Sequence, residues 1–213
     1  MKKLLLVLFL AGTVACFVNS SNAEGKAGKS NQDTIIGGKF TDFRDGRVYK
    51  TVTIGTQTWM AENLAYKTIS GCWAYNNDMN YVPAYGYLYD WENAKSACPA
   101  GWHLPSDAEW QILIDYFLGK NSAGGSLKEI GITHWISPNL DATNYSWFTA
   151  RPGGCRESGG SFNGIHYNGN WWSSSELQAT YVWCRRLYYN SSEVLSFNSD
   201  KSWGYSVRCV KDN

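Results

Sequence analysis

Residues 106–118 have the sequence SDAEWQILIDYFL, which predicts the best-defined helix of the chain. Ser106 followed three residues later by Glu109 is a capping box, a pair whose side chains bond each other's backbone N–H groups at a helix start. Apolar residues then recur with the helical period before Gly119, at Trp110, Leu113, Ile114, Phe117 and Leu118. A helix with one apolar stripe must pack on another element, and we expect a sheet.

The residues before this helix predict a short β-meander and a second helix. Over 39–65, β-branched and polar residues alternate around two turn signals, Asp45-Gly46 and Gly55-Thr56. Over 85–98, Asp90 is a suitable N-cap, apolar residues follow at helical spacing, and Pro99 ends the helix.

The residues after Gly119 are rich in loops and end in short strands. Gly and Pro recur through 119–160 with little regular pattern between them. From Ser146 onward aromatic and β-branched segments return, and we interpret these as strands or covered loops: SWFTAR, NWWSSS, YVWCRRLYY, EVLSF and WGYSVRCV. The predicted helices precede a sheet whose strands are separated by long loops, and this order predicts an α+β fold.

Composition excludes several classes of protein. The 213 residues include 11 Trp, 14 Tyr and 8 Phe, too many large apolar side chains for a disordered chain. The sequence contains no heptad, and its Gly, Pro and Trp are scattered, which excludes a coiled coil. The formal charge is +1 with no basic block, so nothing indicates electrostatic binding to nucleic acid.

The amino terminus predicts export from the cytoplasm. Two lysines precede an apolar stretch over 4–18, shorter than the roughly 20 residues that cross a bilayer. Thr13-Val14-Ala15-Cys16 resembles a bacterial lipobox, so we expect a signal peptide over 1–15 and lipidation of Cys16. Cleavage after Ala23, which gives a soluble secreted or periplasmic protein, is the alternative. Polar residues predict a flexible tether over 16–38, followed by a folded domain over 39–213.

Five further cysteines follow Cys16, and an exported chain is expected to form disulfides. They are Cys72, Cys98, Cys155, Cys184 and Cys209. Because five is odd, at least one thiol is free or pairs between molecules. No C-x-x-C pair occurs, which argues against a zinc site. Spacing alone leaves the pairing open.

Six motifs resemble, in order, the Fibrobacter succinogenes major paralogous domain of bacterial secreted proteins and lipoproteins: DFRDGRVYKTVTIGTQTWMAENL, YGYLYDW, ACPAGWHLPSDAEW, FTARPGGCRESGGSF, WWSSSE and GYSVRCVKD. They extend from about Phe40 to Asp212. That family is similar to the C-type-lectin-like and formylglycine-generating-enzyme group of folds. The resemblance implies two helices flanking small antiparallel sheets, with a long loop-rich insertion. The motif tryptophans should be core: Trp59, Trp91, Trp102, Trp110 and Trp172.

The resemblance also implies part of the disulfide pairing. In lectin-like folds the first helix is tied to the last strand, which here joins Cys98 to Cys209. Cys155 and Cys184 depart from the family pattern and both lie in the loop-rich half, so we predict that they bond to each other. Cys72 is then the free thiol.

No constellation of residues indicates an enzyme, a cofactor or a metal. The three histidines lack ligand spacing, and Ser173, Ser174, Ser175 and Glu176 lack a G-x-S-x-G elbow. The E-P-N, Q-P-D and W-N-D strings of calcium-dependent lectins are absent, which disfavours calcium-dependent sugar binding but not binding by aromatic stacking. We assign Arg151 and Arg208 to structure, as residues that fix loops.

Residues 161–205 carry the predicted ligand-binding surface, because rigid aromatic rings alternate there with Ser, Asn and Gly as in a paratope. Within 177–203, which matches no fixed family motif, we select six residues: Tyr181, Trp183, Arg185, Tyr189, Phe197 and Trp203. Proteins diversified by retroelements have their variable residues in this part of a lectin-like fold. A second hypothesis is therefore that this segment is diversified, which one sequence does not test.

The sequence therefore predicts a cell-envelope protein, attached to the outer membrane only through its lipid, with a non-catalytic lectin-like domain. Its predicted partner is a protein or glycan ligand at the cell surface. The alternatives are an envelope enzyme of the formylglycine-generating-like group and a structural adhesin subunit. A polar cleft with shifted acids near Glu176 would favour the enzyme, and an exposed aromatic patch over 177–203 would favour the binder.

Overall fold

The computed structural model describes residues 35–213. The predicted signal peptide, Cys16 and all but the end of the predicted tether lie outside the described residues. The first strand, β1, begins at Ile36, within the segment that the sequence predicts as tether.

The described chain is mixed α and β, with most of its regular structure in strands. The strands are β1 (Ile36–Thr41), β2 (Val48–Ile54), β3 (Gln57–Met60), β4 (Cys72–Trp73), β5 (Leu88–Tyr89), β6 (Trp102–His103), β7 (Gly153–Arg156), β8 (Phe162–Ile165), β9 (Asn168–Glu176), β10 (Tyr181–Tyr188), β11 (Leu195–Asp200), β12 (Tyr205–Ser206) and β13 (Val210–Lys211). The α-helices are α1 (Val82–Tyr85), α2 (Trp91–Ala97), α3 (Asp107–Tyr116) and α4 (Ala123–Leu127), and 3₁₀ turns occupy Tyr75–Asn77 and Met79–Tyr81.

The first sheet joins the two ends of the domain. Its order is β1-β2-β3-β13-β6, and the predicted meander supplies the first three strands. The last strand inserts between β3 and β6, with Val210 opposite both Trp59 and His103. His103 bonds the carboxylates of Asp212 and Glu109 at 2.6 and 2.7 Å. Burial lowers the pKa of His103, but these two hydrogen bonds outweigh it and raise the pKa.

The second sheet is built around the long strands β9 and β10. Its order is β11-β10-β9-β12-β5-β4, and β7 joins β9 in parallel while pairing with β8. Because successive residues of a strand face opposite sides of a sheet, Trp171 and Trp172 enter two different hydrophobic clusters. Strand β9 therefore separates the two halves of the core.

The two predicted helices form where the local signals place them. Ser106 accepts from the backbone of Glu109, whose carboxylate accepts from the Ser106 N–H, so the capping box of α3 is complete. Asp90 caps α2 with its side chain, which accepts from the Asn93 N–H at 2.9 Å. On α3, Trp110 is buried and packs 5.0 Å, between ring centroids, from Trp59 on the first sheet.

The five tryptophans that the motifs place in the core are all buried. Burial removes their N–H groups from water, and other acceptors replace it: Trp91, Trp110 and Trp172 donate to the backbone carbonyls of Ser173, Trp172 and Tyr89, and Trp59 donates to the side-chain oxygen of Gln57. The predicted disulfide between Cys98 and Cys209 is present and closes a separation of 111 residues. In the chain-entropy account such a closure contributes about 4–5 kcal/mol.

The strand predictions for the carboxy-terminal half are correct in part. NWWSSS and YVWCRRLYY fall on β9 and β10, and EVLSF leads into β11. SWFTAR forms irregular chain with a single bridge at Ala150. WGYSVRCV is divided between β12 and β13 and so links the two sheets.

Candidate functional site

The exposed apolar side chains concentrate in the chain between α3 and β7, residues 117–152, which we call the α3–β7 connection. Seven of its large apolar residues are exposed: Leu118, Ile130, Ile132, Ile136, Leu140, Tyr145 and Trp147. Over 177–203, where the sequence predicts the ligand surface, only Leu177 and Tyr181 reach that degree of exposure. Exposed apolar groups that cluster mark interaction sites, so the connection is the stronger candidate.

Trp147 has an unfavourable backbone conformation as well as an exposed side chain. Its φ is +57°, and 55% of the residue is exposed. Thr149, two residues on, has φ +54°. Bulky and β-branched residues rarely adopt this left-handed region, at a cost of about 1–3 kcal/mol each. Such strain persists where the surroundings enforce it, and it gathers at functional sites.

The neighbours of Trp147 fix that conformation because both are buried. The Ser146 hydroxyl donates to the Ser126 carbonyl at 2.8 Å and accepts from the Phe148 N–H at 3.0 Å. The Phe148 ring packs edge-on, 5.7 Å between centroids, against Trp59. A rigid scaffold thus presents the indole to solvent.

Arg208 holds the same turn from inside the core. This fully buried guanidinium donates to the carbonyls of Phe148 at 2.6 Å, Met60 at 3.1 Å and Thr149 at 3.4 Å, and to Asn63 Oδ1 at 2.8 Å. Burial lowers the pKa of Arg208 to about 9. The prediction that Arg208 fixes loops agrees with these contacts.

The α3–β7 connection is also attached to the second sheet by a buried lysine. Lys128 Nζ donates to the carbonyls of Leu140, Ser191 and Tyr188 at 2.7, 2.8 and 3.2 Å. Burial lowers the pKa of Lys128 to about 8. These bonds tie the connection to the chain between β10 and β11.

An open groove of about 520 Å³ lies beside Trp147, and we call it the Trp147 groove. Its lining comes from β1, β2 and the α3–β7 connection: Gly37, Gly38, Lys39, Lys50, Thr51, Ala61, Asn144, Trp147 and Thr149. A side chain at Gly37 would meet the indole ring at 3.1 Å, and one at Gly38 would meet the Thr51 hydroxyl at 2.8 Å. The volume is that of a small-molecule site, and the lining combines one aromatic face with hydroxyl, amide and ammonium groups.

Two smaller clefts border the same connection, each of about 290 Å³. One includes Leu118 and Tyr145. The other includes His134 and His166. His166 Nδ1 lies 2.7 Å from the His134 carbonyl, so that nitrogen carries the proton. Ligand-sized concavities therefore follow the connection along its length.

A polar network supports the histidine cleft. Glu129 accepts from His134 Nδ1 at 2.6 Å and forms an ion pair with Arg151 at 2.8 Å. Arg151 also donates to the Ala84 carbonyl at 3.1 Å. Burial raises the pKa of Tyr85, beside His166, to about 12. Glu129 and Arg151 thus each have a hydrogen-bonding or ion-pair partner, as is typical of charged groups that hold a loop in place.

The six residues selected from 177–203 do not form one surface. Strands β10 and β11 pair with Trp183 opposite Asn198 and Cys184 opposite Phe197, so Trp183 and Phe197 face opposite sides of the sheet. Tyr181 is exposed, on the face of Trp183, whereas Phe197 packs 6.0 Å from the buried Tyr205.

The remaining aromatic residues of that set lie apart. Trp203 packs 6.0 Å from Tyr205, on the side of Phe197, and Tyr189 lies 5.6 Å from Tyr167 beside the histidine cleft. As ligand contacts, the five aromatic residues of the set stay a prediction.

Arg185 requires a correction. It is 1% exposed, and its guanidinium pairs with Asp107 at 2.5 Å and donates to the Ser196 hydroxyl at 3.0 Å. It therefore attaches β10 to the start of α3 and is not available to a ligand.

The predicted disulfide between Cys155 and Cys184 is also corrected. Among the described residues both are free, as is Cys72, and the two buried thiols donate instead to the Asn163 and Val182 carbonyls at 3.6 Å. Burial raises the pKa of Cys155 to about 11 and that of Cys184 further. Both thiols are consequently protonated at neutral pH.

Near Glu176, where a polar cleft would favour an enzyme, the side chains contact other elements of the fold. Glu176 is exposed and lies 3.1 Å from Lys201, and the Ser175 hydroxyl accepts from the backbone of Asp107 at 2.9 Å.

Within residues 35–213 no group of three or more His, Cys, Asp or Glu could hold a metal ion. In the same range, no helix combines the length and apolar character needed to cross a membrane.

Trp147 is not among the six residues selected from the sequence. It lies in SWFTAR, interpreted as a strand or a covered loop, and only its backbone conformation turns it outward. A usable signal was present, since a tryptophan directly before the FTARPGG motif, in a stretch without alternation, need not be core.

Comparison with known proteins identifies the family. The family model described as the Fibrobacter succinogenes major domain matches residues 52–211. The chain therefore belongs to this family, which confirms the resemblance carried by the six motifs. No curated protein and no solved structure matches the chain significantly.

Proposed function

We propose that the protein is a cell-envelope lipoprotein whose lectin-like domain binds a glycan, without catalysis, in the Trp147 groove. One observation carries the proposal: a half-exposed tryptophan is held in a strained conformation by buried neighbours at the edge of a ligand-sized groove. A half-exposed side chain on a strained backbone contributes little to the free energy of unfolding. A residue retained for ligand binding would show this combination.

The chemistry of the groove favours a sugar. The apolar C–H face of a sugar ring can lie on an indole, while its hydroxyls bond to amide and ammonium groups such as those of Asn144 and Lys50. A protein ligand is the second candidate, favoured by the exposed Leu118 and Tyr145 beyond the groove.

The lectin-like assignment is likewise a proposal. Three features support it: the helices α2 and α3, a disulfide from the end of α2 to the chain before β13, and a terminal strand inserted beside β3. So does the long irregular α3–β7 connection.

The lipoprotein assignment relies on the amino-terminal sequence. Labelling cells with a radioactive or alkyne-bearing fatty acid should mark the wild type and not Cys16→Ser. Equal labelling of both would contradict it, and cleavage after Ala23 would then be the better interpretation.

The state of the two buried thiols supports the proposed absence of catalysis. Members of the formylglycine-generating-like group use reactive cysteines, and a reactive cysteine needs its thiolate. Burial raises the pKa of Cys155 to about 11, which disfavours that form at neutral pH.

A glycan array probed with the full chain tests the proposal, with Trp147→Ala and Trp183→Ala as matched variants. Trp183 is a partly exposed tryptophan outside the groove. We expect Trp147→Ala to weaken binding at least tenfold, as loss of a central aromatic contact does, and Trp183→Ala to bind as the wild type. The reverse result would place the ligand on β10, and no binding to any glycan would refute the proposal.

A further inference from the structure

We infer that the Trp147 groove selects an acidic saccharide, one that carries carboxylate or sulfate groups; this inference rests on the proposed glycan binding. It starts from two lysines. Lys39 on β1 and Lys50 on β2 are direct cross-strand partners, and both line the groove.

The register places two like charges on directly opposite residues. Directly opposite residues of an antiparallel pair have Cβ atoms about 4.5–5.5 Å apart, and like charges at that separation are destabilising. Both residues are exposed, and among residues 35–213 neither ammonium has an ion-pair partner. A pair of like charges without an ion-pair partner in the described part of the chain is suited to an anion from outside.

No acid competes for these lysines within the groove. Its lining contains no Asp or Glu. The neighbouring carboxylate of Glu62 accepts from the Lys50 backbone N–H at 2.8 Å, so one of its oxygens is already bonded to the main chain. The formal charge of the whole chain is only +1, and the positive character is therefore local.

The groove also fixes where the anion would lie. The indole of Trp147 packs against Gly37, whereas Lys39 and Lys50 lie next along the same strands. A sugar ring on the indole would place a substituent at the lysines. Gly37 lies two residues before Lys39 and therefore on the same face of β1, and its lack of a side chain leaves that face open beside the indole.

The test measures the affinity of the full chain for three probes of equal length: an oligogalacturonate, a sulfated galactan oligosaccharide and a neutral galactan oligosaccharide. We expect at least one acidic probe to bind about tenfold more tightly than the neutral one, with a preference that falls as salt rises. Each exposed lysine accounts for about two- to fivefold.

The informative variant is Lys39→Gln/Lys50→Gln, and the matched control is Lys67→Gln/Lys211→Gln, which removes the same charge outside the groove. The first should lose the acidic preference while its unfolding midpoint stays equal or rises, because repulsion is relieved. The control should retain the preference. A preference for the uronate alone or for the sulfate alone supports the inference and identifies the acidic group.

The possible failures are distinguishable. Equal, Trp147-dependent binding of acidic and neutral probes would overturn acid selectivity and leave glycan binding intact. Equal loss of preference in the groove variant and the control would show that overall charge, not the lysine pair, is responsible. No binding of any of the three probes would overturn the acid selectivity inferred here, whereas glycan binding itself is decided by the array.

Discussion

Trp147→Gly should be more stable than Trp147→Ala, the reverse of the order at an ordinary position. Alanine keeps a Cβ and therefore keeps the penalty of the left-handed backbone at φ +57°. Glycine adopts that region at no steric cost. The comparison isolates backbone strain, because both variants lose the same indole.

The magnitudes follow from exposure and conformation. With 55% of Trp147 exposed, roughly 100 Å² of apolar surface is buried, worth about 2.5 kcal/mol and lost in both variants. Glycine regains about 1–2 kcal/mol of left-handed strain and costs about 0.5–1 kcal/mol in chain entropy. The glycine variant should therefore exceed the alanine variant by about 0.5–1 kcal/mol.

Urea unfolding, monitored by circular dichroism, gives the free energy of unfolding of each variant. The two free energies are comparable when the two m values are equal. Ala108, exposed on α3, provides the control: Ala108→Gly should lower stability by about 1 kcal/mol, the usual helix penalty. Equal or greater stability of Trp147→Ala than of Trp147→Gly would refute the strained conformation, and with it the argument that folding alone does not account for this residue.

Three further predictions concern the rest of the domain. Cys98→Ser should lower stability by about 4–5 kcal/mol, and mapping without reduction should link Cys98 to Cys209; a link between any other pair would contradict the pairing. His103 has a raised pKa, so its stabilising effect is present below the unfolded value near 6.5 and is lost as pH rises through the folded pKa. The stability gap between wild type and His103→Gln should thus be larger at pH 6 than at pH 8.5, and a constant gap would count against the interaction. A maleimide should label the partly exposed Cys72 of the native protein before Cys155, whose buried thiol has its pKa raised to about 11; the opposite order would show that Cys155 is accessible.

Local signals were sufficient for much of the fold. The capping box at Ser106 and the stripe that follows it involve only neighbours within a few turns, so α3 is predictable from sequence. The Cys98–Cys209 link came from family resemblance, because a separation of 111 residues carries no local signal.

The site was less predictable, since it depends on tertiary contacts. Trp147 is turned outward by anchors distant in sequence, Arg208 among them, whose carbonyl acceptor on Phe148 is 60 residues away. The selected aromatic residues were divided by strand pairing: alternation places Trp183 and Phe197 on opposite faces, but only the register between β10 and β11 shows this. The composition of 161–205 predicts a binding surface, but composition does not show which residues are exposed together.

The central claim is that ligand binds at Trp147 rather than at 177–203. Fluorine NMR of the full chain labelled with 5-fluorotryptophan tests it, with the signals of Trp147, Trp183 and Trp203 assigned from Trp147→Phe, Trp183→Phe and Trp203→Phe. On titration with a glycan selected by the array, we predict a shift of the Trp147 resonance and no change at Trp183 or Trp203. A shift at Trp183 or Trp203, with Trp147 unchanged, would contradict the account.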